Sequence, residues 1–258
     1  MRGWVLAAGL LAMAPLDADW IFGERKPVSR HSGSGVFHHL DSSGRSNISV
    51  SDSTVAVVWE DNHEEGVPAV YVAMRPRATE GFTAPRRLSG GGAAYEPALA
   101  TLGDDRFLIA WEQDGAILGR VVGTAGEGPV TELAAGGARQ VSVSAGHRPL
   151  VAWSARRADG GGGYVIRVAA VEVAGWDLRP SEAVTVEPRA PRTVQAYPVV
   201  IGDETLCVAW EDRRRGASVV YHSRFTDAQG FSAPQPVSEV IEKSATYGKG
   251  SGATRVSL

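Results

Sequence analysis

Residues 206–225 read LCVAWEDRRRGASVVYHSRF, and residues 55–75 read VAVVWEDNHEEGVPAVYVAMR. Each runs apolar residues into Trp-Glu-Asp, crosses a charged turn and resumes as an alternating apolar segment containing a tyrosine. Two looser copies lie between them. The runs VAVVW, FLIAW, PLVAW and LCVAW end at Trp59, Trp111, Trp153 and Trp210, which are 52, 42 and 57 residues apart. Such uneven spacing is what loops of different length do to a repeat. Each Trp run is preceded by a short β-branched segment (NISVS, PALATL, QVSVSA, PVVIG) and followed by another (AVYVAMR, AILGRVV, YVIRVAAV, SVVYHSRF). A closing segment completes the unit, as GFTAPRRLS in the first and GFSAPQPVS in the fourth.

Four short strands per unit, with no helical periodicity after the first residues, predict an all-β fold: a β-propeller of four-stranded antiparallel blades. Both faces of a blade strand are covered by neighbouring blades, so its strands read nearly continuously apolar. The recurrent Trp is expected to fill the wedge between blades, where a large aromatic gives the most burial. Four units are recognisable. A partial fifth blade is expected from the two ends, because FGERKPVS (22–29) matches FSAPQPVS (231–238) at Phe, Pro, Val and Ser, and ATYGKGSGATRVSL (245–258) resembles a first strand. An incomplete ring that requires another chain is the other reading of the same ends.

The chain has 258 residues and a net charge of −3, with 43% hydrophobic residues. That is ample for a core, and it lacks the basic field that a nucleic-acid backbone would require. Arg2 followed by the apolar run WVLAAGLLAMAPL (4–16) reads as a signal peptide over 1–18, leaving a single domain over 19–258 in a secreted or periplasmic protein. The run is short of the about 20 apolar residues a spanning helix needs, so no membrane span is expected in the mature chain. Cys207 is alone and cannot pair within the chain; it reads as a buried small apolar residue.

Thr226-Asp227-Ala228-Gln229-Gly230-Phe231 resembles a worn copy of the Asp-box SxDxGxxW, and the units resemble the sialidase-like, BNR-type propeller repeats. The resemblance implies a propeller with its ligand site at the channel mouth. The family's FRIP motif has no counterpart here, and neither its arginine triad nor its Tyr-Glu pair maps onto this chain residue by residue.

In such a fold, first-strand entries and second-strand exits share one face. The candidate ligand-binding rim is therefore Arg45, Glu60, Asp61, Tyr95, Glu96, Glu112, Arg139, Tyr197, Glu211, Asp212 and Arg213. Aromatic faces, carboxylates and guanidinium groups together suit a sugar or another polar ligand. The leading expectation is a carbohydrate- or protein-binding module. The alternative is an exo-acting glycoside hydrolase of the sialidase type, which needs two carboxyl groups about 5 to 9.5 Å apart across one bond. No cofactor or metal is expected, since the adjacent histidines of VFHHLD (36–41) point to opposite faces of a strand. Recurrence of WED favours a structural role for its acids, capping turns or binding a neighbouring blade.

Overall fold

A computed structural model describes residues 24–29, 33–39, 46–160, 162–203, 205–216 and 218–237. The expected signal peptide, Arg45 and the C-terminal half of the expected fifth blade lie outside these residues. All regular structure among them is β-strand, in four antiparallel sheets. No helix there is long and apolar enough to cross a membrane.

Each sheet is one sequence unit. The second strands, Thr54–Asp61, Arg106–Gln113, Leu150–Arg156 and Leu206–Asp212, each carry a Trp and pair with the third strands Ala69–Pro76, Ala116–Gly123, Tyr164–Ala174 and Val219–Thr226. First strands are Ala94–Gly103, Ala138–Ser144 and Gln195–Gly202 in units two to four. In the first unit this strand is in two pieces, His38–His39 and Ile48–Val50, both on the edge of Thr54–Asp61. The closing strand is likewise divided in units three and four.

The sheets pack face to face in chain order, as blades do. Trp111 lies in the core between blades one and two with Val58 and Val70. Trp153 does the same between two and three, and Trp210 between three and four. Trp59 faces away from blade two, where Val28 and Phe82 pack on it. All four indoles are at most 3% exposed. First strands of all four blades line a common open cavity of about 460 Å³. Residues 24–29, expected as a closing strand, carry no strand pairing among the described residues, although Val28 is seated against blade one.

Turn chemistry follows the sequence. Asp114-Gly115, with φ of 53° and 74°, joins the second and third strands of blade two as a two-residue hairpin that requires left-handed backbone at both positions. Asp104-Asp105 turns similarly, and Asp105 then accepts the hydroxyls of Ser51 and Ser53 from blade one, which holds its carboxyl below the usual range. A knob joins blades two and three: Trp176 lies over Gly123, Gly126 and Gly128. Cys207 is half-buried rather than fully buried, and burial pushes its thiol pKa up.

The Trp indoles are not equivalent. Trp59 Nε1 donates to Asp61 at 2.9 Å and Trp111 Nε1 to Gln113 at 3.1 Å, while Trp210 Nε1 is buried without a partner. Replacing Trp111 by Ala is expected to cost about 3–5 kcal/mol. Trp111→Phe is expected to cost about 1 kcal/mol more than Trp210→Phe, because only the former orphans a buried acceptor. Chemical denaturation of the three variants checks both values.

Candidate functional site

The first strands of blades two, three and four are bulged at the same place, between Tyr95 and Ala98, Arg139 and Ser142, and Ala196 and Val199. Each bulge holds a residue in the left-handed region: Glu96 (φ 53°), Gln140 (φ 58°) and Tyr197 (φ 50°). For a residue with a side chain, such backbone costs roughly 1–3 kcal/mol and persists only where its surroundings impose it. The preceding blade does so. Glu60 Oε2 accepts the Glu96 N–H at 2.7 Å, and Glu112 Oε1 accepts the Gln140 N–H. Blade three has Ser154 where the others have Glu, too short to reach. There Gln140 Oε1 takes the Tyr197 N–H at 3.2 Å, and Ser154 Oγ donates to the Gln195 carbonyl at 2.6 Å.

The Glu that follows Trp59 and the Glu that follows Trp111 are therefore latches from their blades to the bulge of the next. Glu60 and Glu211 are buried, and Glu211 accepts the Ser218 hydroxyl at 3.0 Å. Glu112 is half-buried in the same position of its strand.

The Asp of WED is fully buried in both full copies. Asp61 receives the Trp59 indole, the backbone N–H and imidazole of His63, and His38 Nδ1 at 3.1 Å. Burial raises its pKa, and these donors outweigh it, so the carboxyl stays below its ordinary value. Asp212 receives Thr193 Oγ1 at 2.8 Å, Gln195 Nε2 at 3.1 Å and Arg214 through both its backbone and its guanidinium. Again burial is outweighed, chiefly by Arg214, and the carboxyl is held low. Glu187 completes this cluster on Arg214, whose own pKa is raised because the two carboxylates outweigh its desolvation. In each case the side chain two residues on lies against the third-strand tyrosine, His63 on Tyr71 and Arg214 on Tyr221, and each tyrosine stacks on the Trp.

Of the remaining expected residues, Tyr95 is 41% exposed at the bulge of blade two. Arg213 is exposed on the turn closed by the Gly216 N–H to Arg213 carbonyl bond. Arg139 lies flat on the ring of Tyr164, its Cζ 3.6 Å from the centroid, and its Nε is buried without a hydrogen bond. Among the described residues Arg139 has no carboxylate partner. Fold topology thus brings Tyr95, Glu96, Arg139, Gln140 and Tyr197 to one end of the channel. Glu60, Asp61, Glu112, Glu211 and Asp212 stand behind them as support, and Arg45 lies outside the described residues. Tyr164 was not among the expected residues; its place opposite Arg156, one strand from Arg139, is what brings it to the rim. The described residues hold no cluster of three metal-ligating side chains.

No protein-family model matches the sequence, and no curated protein matches it. Among solved structures, a protein of unknown function from Dyadobacter fermentans is similar at 12% identity and a TM-score of 0.51, over 78% of this chain and 73% of that one. The two share a fold. A leech intramolecular trans-sialidase is similar at 12% identity and a TM-score of 0.41, over 61% of this chain and 26% of its own. A GH43 protein from Bacillus licheniformis is similar at 12% identity and a TM-score of 0.43, over 80% of this chain and 48% of its own.

The low pKa of Asp212 fixes the sign of a pH dependence. Its folded-state pKa is depressed, so the stability it contributes is present above the unfolded value of about 3.9 and is lost as pH falls through the folded value. Asp212→Asn is expected to lower stability at pH 7 by about 1–3 kcal/mol and to make the loss of stability below about pH 4 shallower. Denaturant titrations at pH 7 and across the acid range measure both.

Proposed function

We propose that the chain is an exported, sialidase-like propeller that binds a glycan at the channel mouth, with Arg139 anchoring an acidic group of the ligand. The observation that carries this reading is Arg139 itself. Its guanidinium is pinned flat on Tyr164 at the rim and has no carboxylate partner among the described residues. A guanidinium held in one orientation loses little freedom on forming a two-bond contact with a carboxylate. Tyr95 offers a ring face for the sugar, and Glu96 and Gln140 supply polar groups from the bulges beside it.

Binding is favoured over hydrolysis because the repeated acids already have tasks. Glycoside hydrolysis needs a carboxylic acid and a carboxylate both facing the substrate. Glu60, Asp61, Glu211 and Asp212 are buried, and each carries a bond described above. In this reading the signal peptide over 1–18 directs export to the periplasm or the medium. The ring over 19–258 closes through a fifth blade shared by the two ends; a second chain in that place is the alternative.

The test is binding of the purified mature chain to a glycan array, neutral and acidic, with fluorogenic glycosides assayed alongside. Saturable binding of acidic glycans, weakened about tenfold or more by Arg139→Ala or Tyr95→Ala, is expected. Turnover abolished by Glu96→Gln would make the protein a hydrolase and overturn the reading.

A further inference from the structure

The notch between blades three and four encloses a cavity of about 470 Å³. It lies at the end of the sheets remote from the bulges. Leu150 and Leu206, which line it, open the second strands whose far ends, Ser154 and Glu211, pair with the bulged residues. The floor is apolar, with Val168 on one side and Phe225 and Phe231 on the other, the two phenyl rings meeting edge to face at 5.1 Å.

The same notch occurs between blades two and three, and there it is filled. Gly128 and Ser181 are equivalent positions: each donates its N–H at 2.8 Å to the third-strand carbonyl, of Val121 and Ala170 respectively. Trp176 stands at the tip of the blade-three hairpin, where the third strand runs on to Ala174 and Pro180 lies opposite Val171. Blade four turns earlier, with Phe231 opposite Phe225 in the place of Pro180, so it carries no counterpart of Trp176. Trp176 lies so close over Gly128 that a Cβ there would fall 1.9 Å from the Trp176 carbonyl oxygen. Its indole comes within 3.1 Å of where a Cβ of Gly123 would stand. The shorter hairpin of blade four does not reach across Ser181 as Trp176 reaches across Gly128. The space that Trp176 occupies in one notch stays open in the other.

We propose that this cavity is a second binding site, for a small ligand carrying a flat aromatic ring and a positive charge. The aromatic ring is selected by the floor, where Phe225 and Phe231 both line the cavity and give a third ring aromatic neighbours to pack on. Charge is selected by the rim, where Glu182, Asp203 and Asp227 stand against the single cation Arg148, all four exposed. Asp203 is also 3.4 Å from the exposed His147. Enclosing the ring in apolar surface while leaving the ammonium at a carboxylate-rich mouth satisfies both halves of the ligand without burying a charge. The site stands independently of the channel-mouth reading, and its test needs no glycan.

Calorimetry of the full chain with tryptamine, and with indole-3-propionate as its anionic counterpart, tests the proposal. Tryptamine is expected to saturate one site and to bind about tenfold or more tightly than indole-3-propionate. Phe231→Trp, which enlarges a floor side chain into the cavity, is expected to weaken tryptamine about tenfold or more; Ala170→Phe, which fills the cavity from the other wall, should do the same should the first variant fail to fold. Absence of saturable tryptamine binding, or affinity unchanged in the folded plugged variants, would overturn the site. Equal affinity for the two indoles would overturn the charge preference.

Discussion

A glutamate carboxylate holding the backbone N–H of a left-handed residue in the next blade is the contact on which this architecture depends. Glu60 and Glu112 each make it, and Gln140 passes it on where Ser154 interrupts the series. The magnitudes explain why the arrangement persists. A non-glycine residue at positive φ costs roughly 1–3 kcal/mol, and a hydrogen bond to a charged acceptor contributes about 1.5–3. The latch therefore offsets the strain of the bulge it meets. Each bulge in turn swings one residue out of the ladder and toward the channel mouth. The rim is thus a product of the same contact that joins the blades.

Repetition of WED follows from this division of tasks. Trp fills the wedge, Glu holds the next blade, and Asp ties down its own turn and, in blade one, the indole two residues before it. Where the Asp is replaced by Gln113, the indole bond survives and the turn is left to Asp114-Gly115. In blade four Asp212 is taken by Arg214, Gln195 and Thr193, and the Trp210 indole goes without an acceptor. One three-residue phrase thus serves burial, inter-blade bonding and turn closure. The proposed ligand contacts fall to residues outside this phrase, chiefly Arg139 and Tyr95.

Much of the fold was legible in the sequence because blade strands are buried on both faces, and long apolar runs ending in Trp mark them. Unit boundaries, the second and third strands and the hairpin at 226–231 fall where the pattern puts them. The bulges were not legible: an inserted residue such as Glu96 shifts the alternation by one place, which a strand of eight to ten residues hides. The partnership of Arg139 with Tyr164 was equally hidden, since it spans a long hairpin and depends on register. The use of Gln140 as the substitute latch depends on Ser154 being too short, a fact of geometry rather than pattern. The notch beside Phe231 has no sequence signal of its own. It appears only when Gly128 and Ser181 are recognised as the same position in two blades.

The central claim is that the glutamates following Trp59 and Trp111 hold each blade to the bulge of the next. Amide hydrogen exchange at Glu96 and Gln140, in Glu60→Ala and Glu112→Ala variants, tests it most directly. The account predicts that Glu60→Ala accelerates exchange at Glu96 by about tenfold or more while leaving Gln140 near its wild-type rate, and that Glu112→Ala does the reverse. Unchanged exchange at both amides in the folded variants would contradict it.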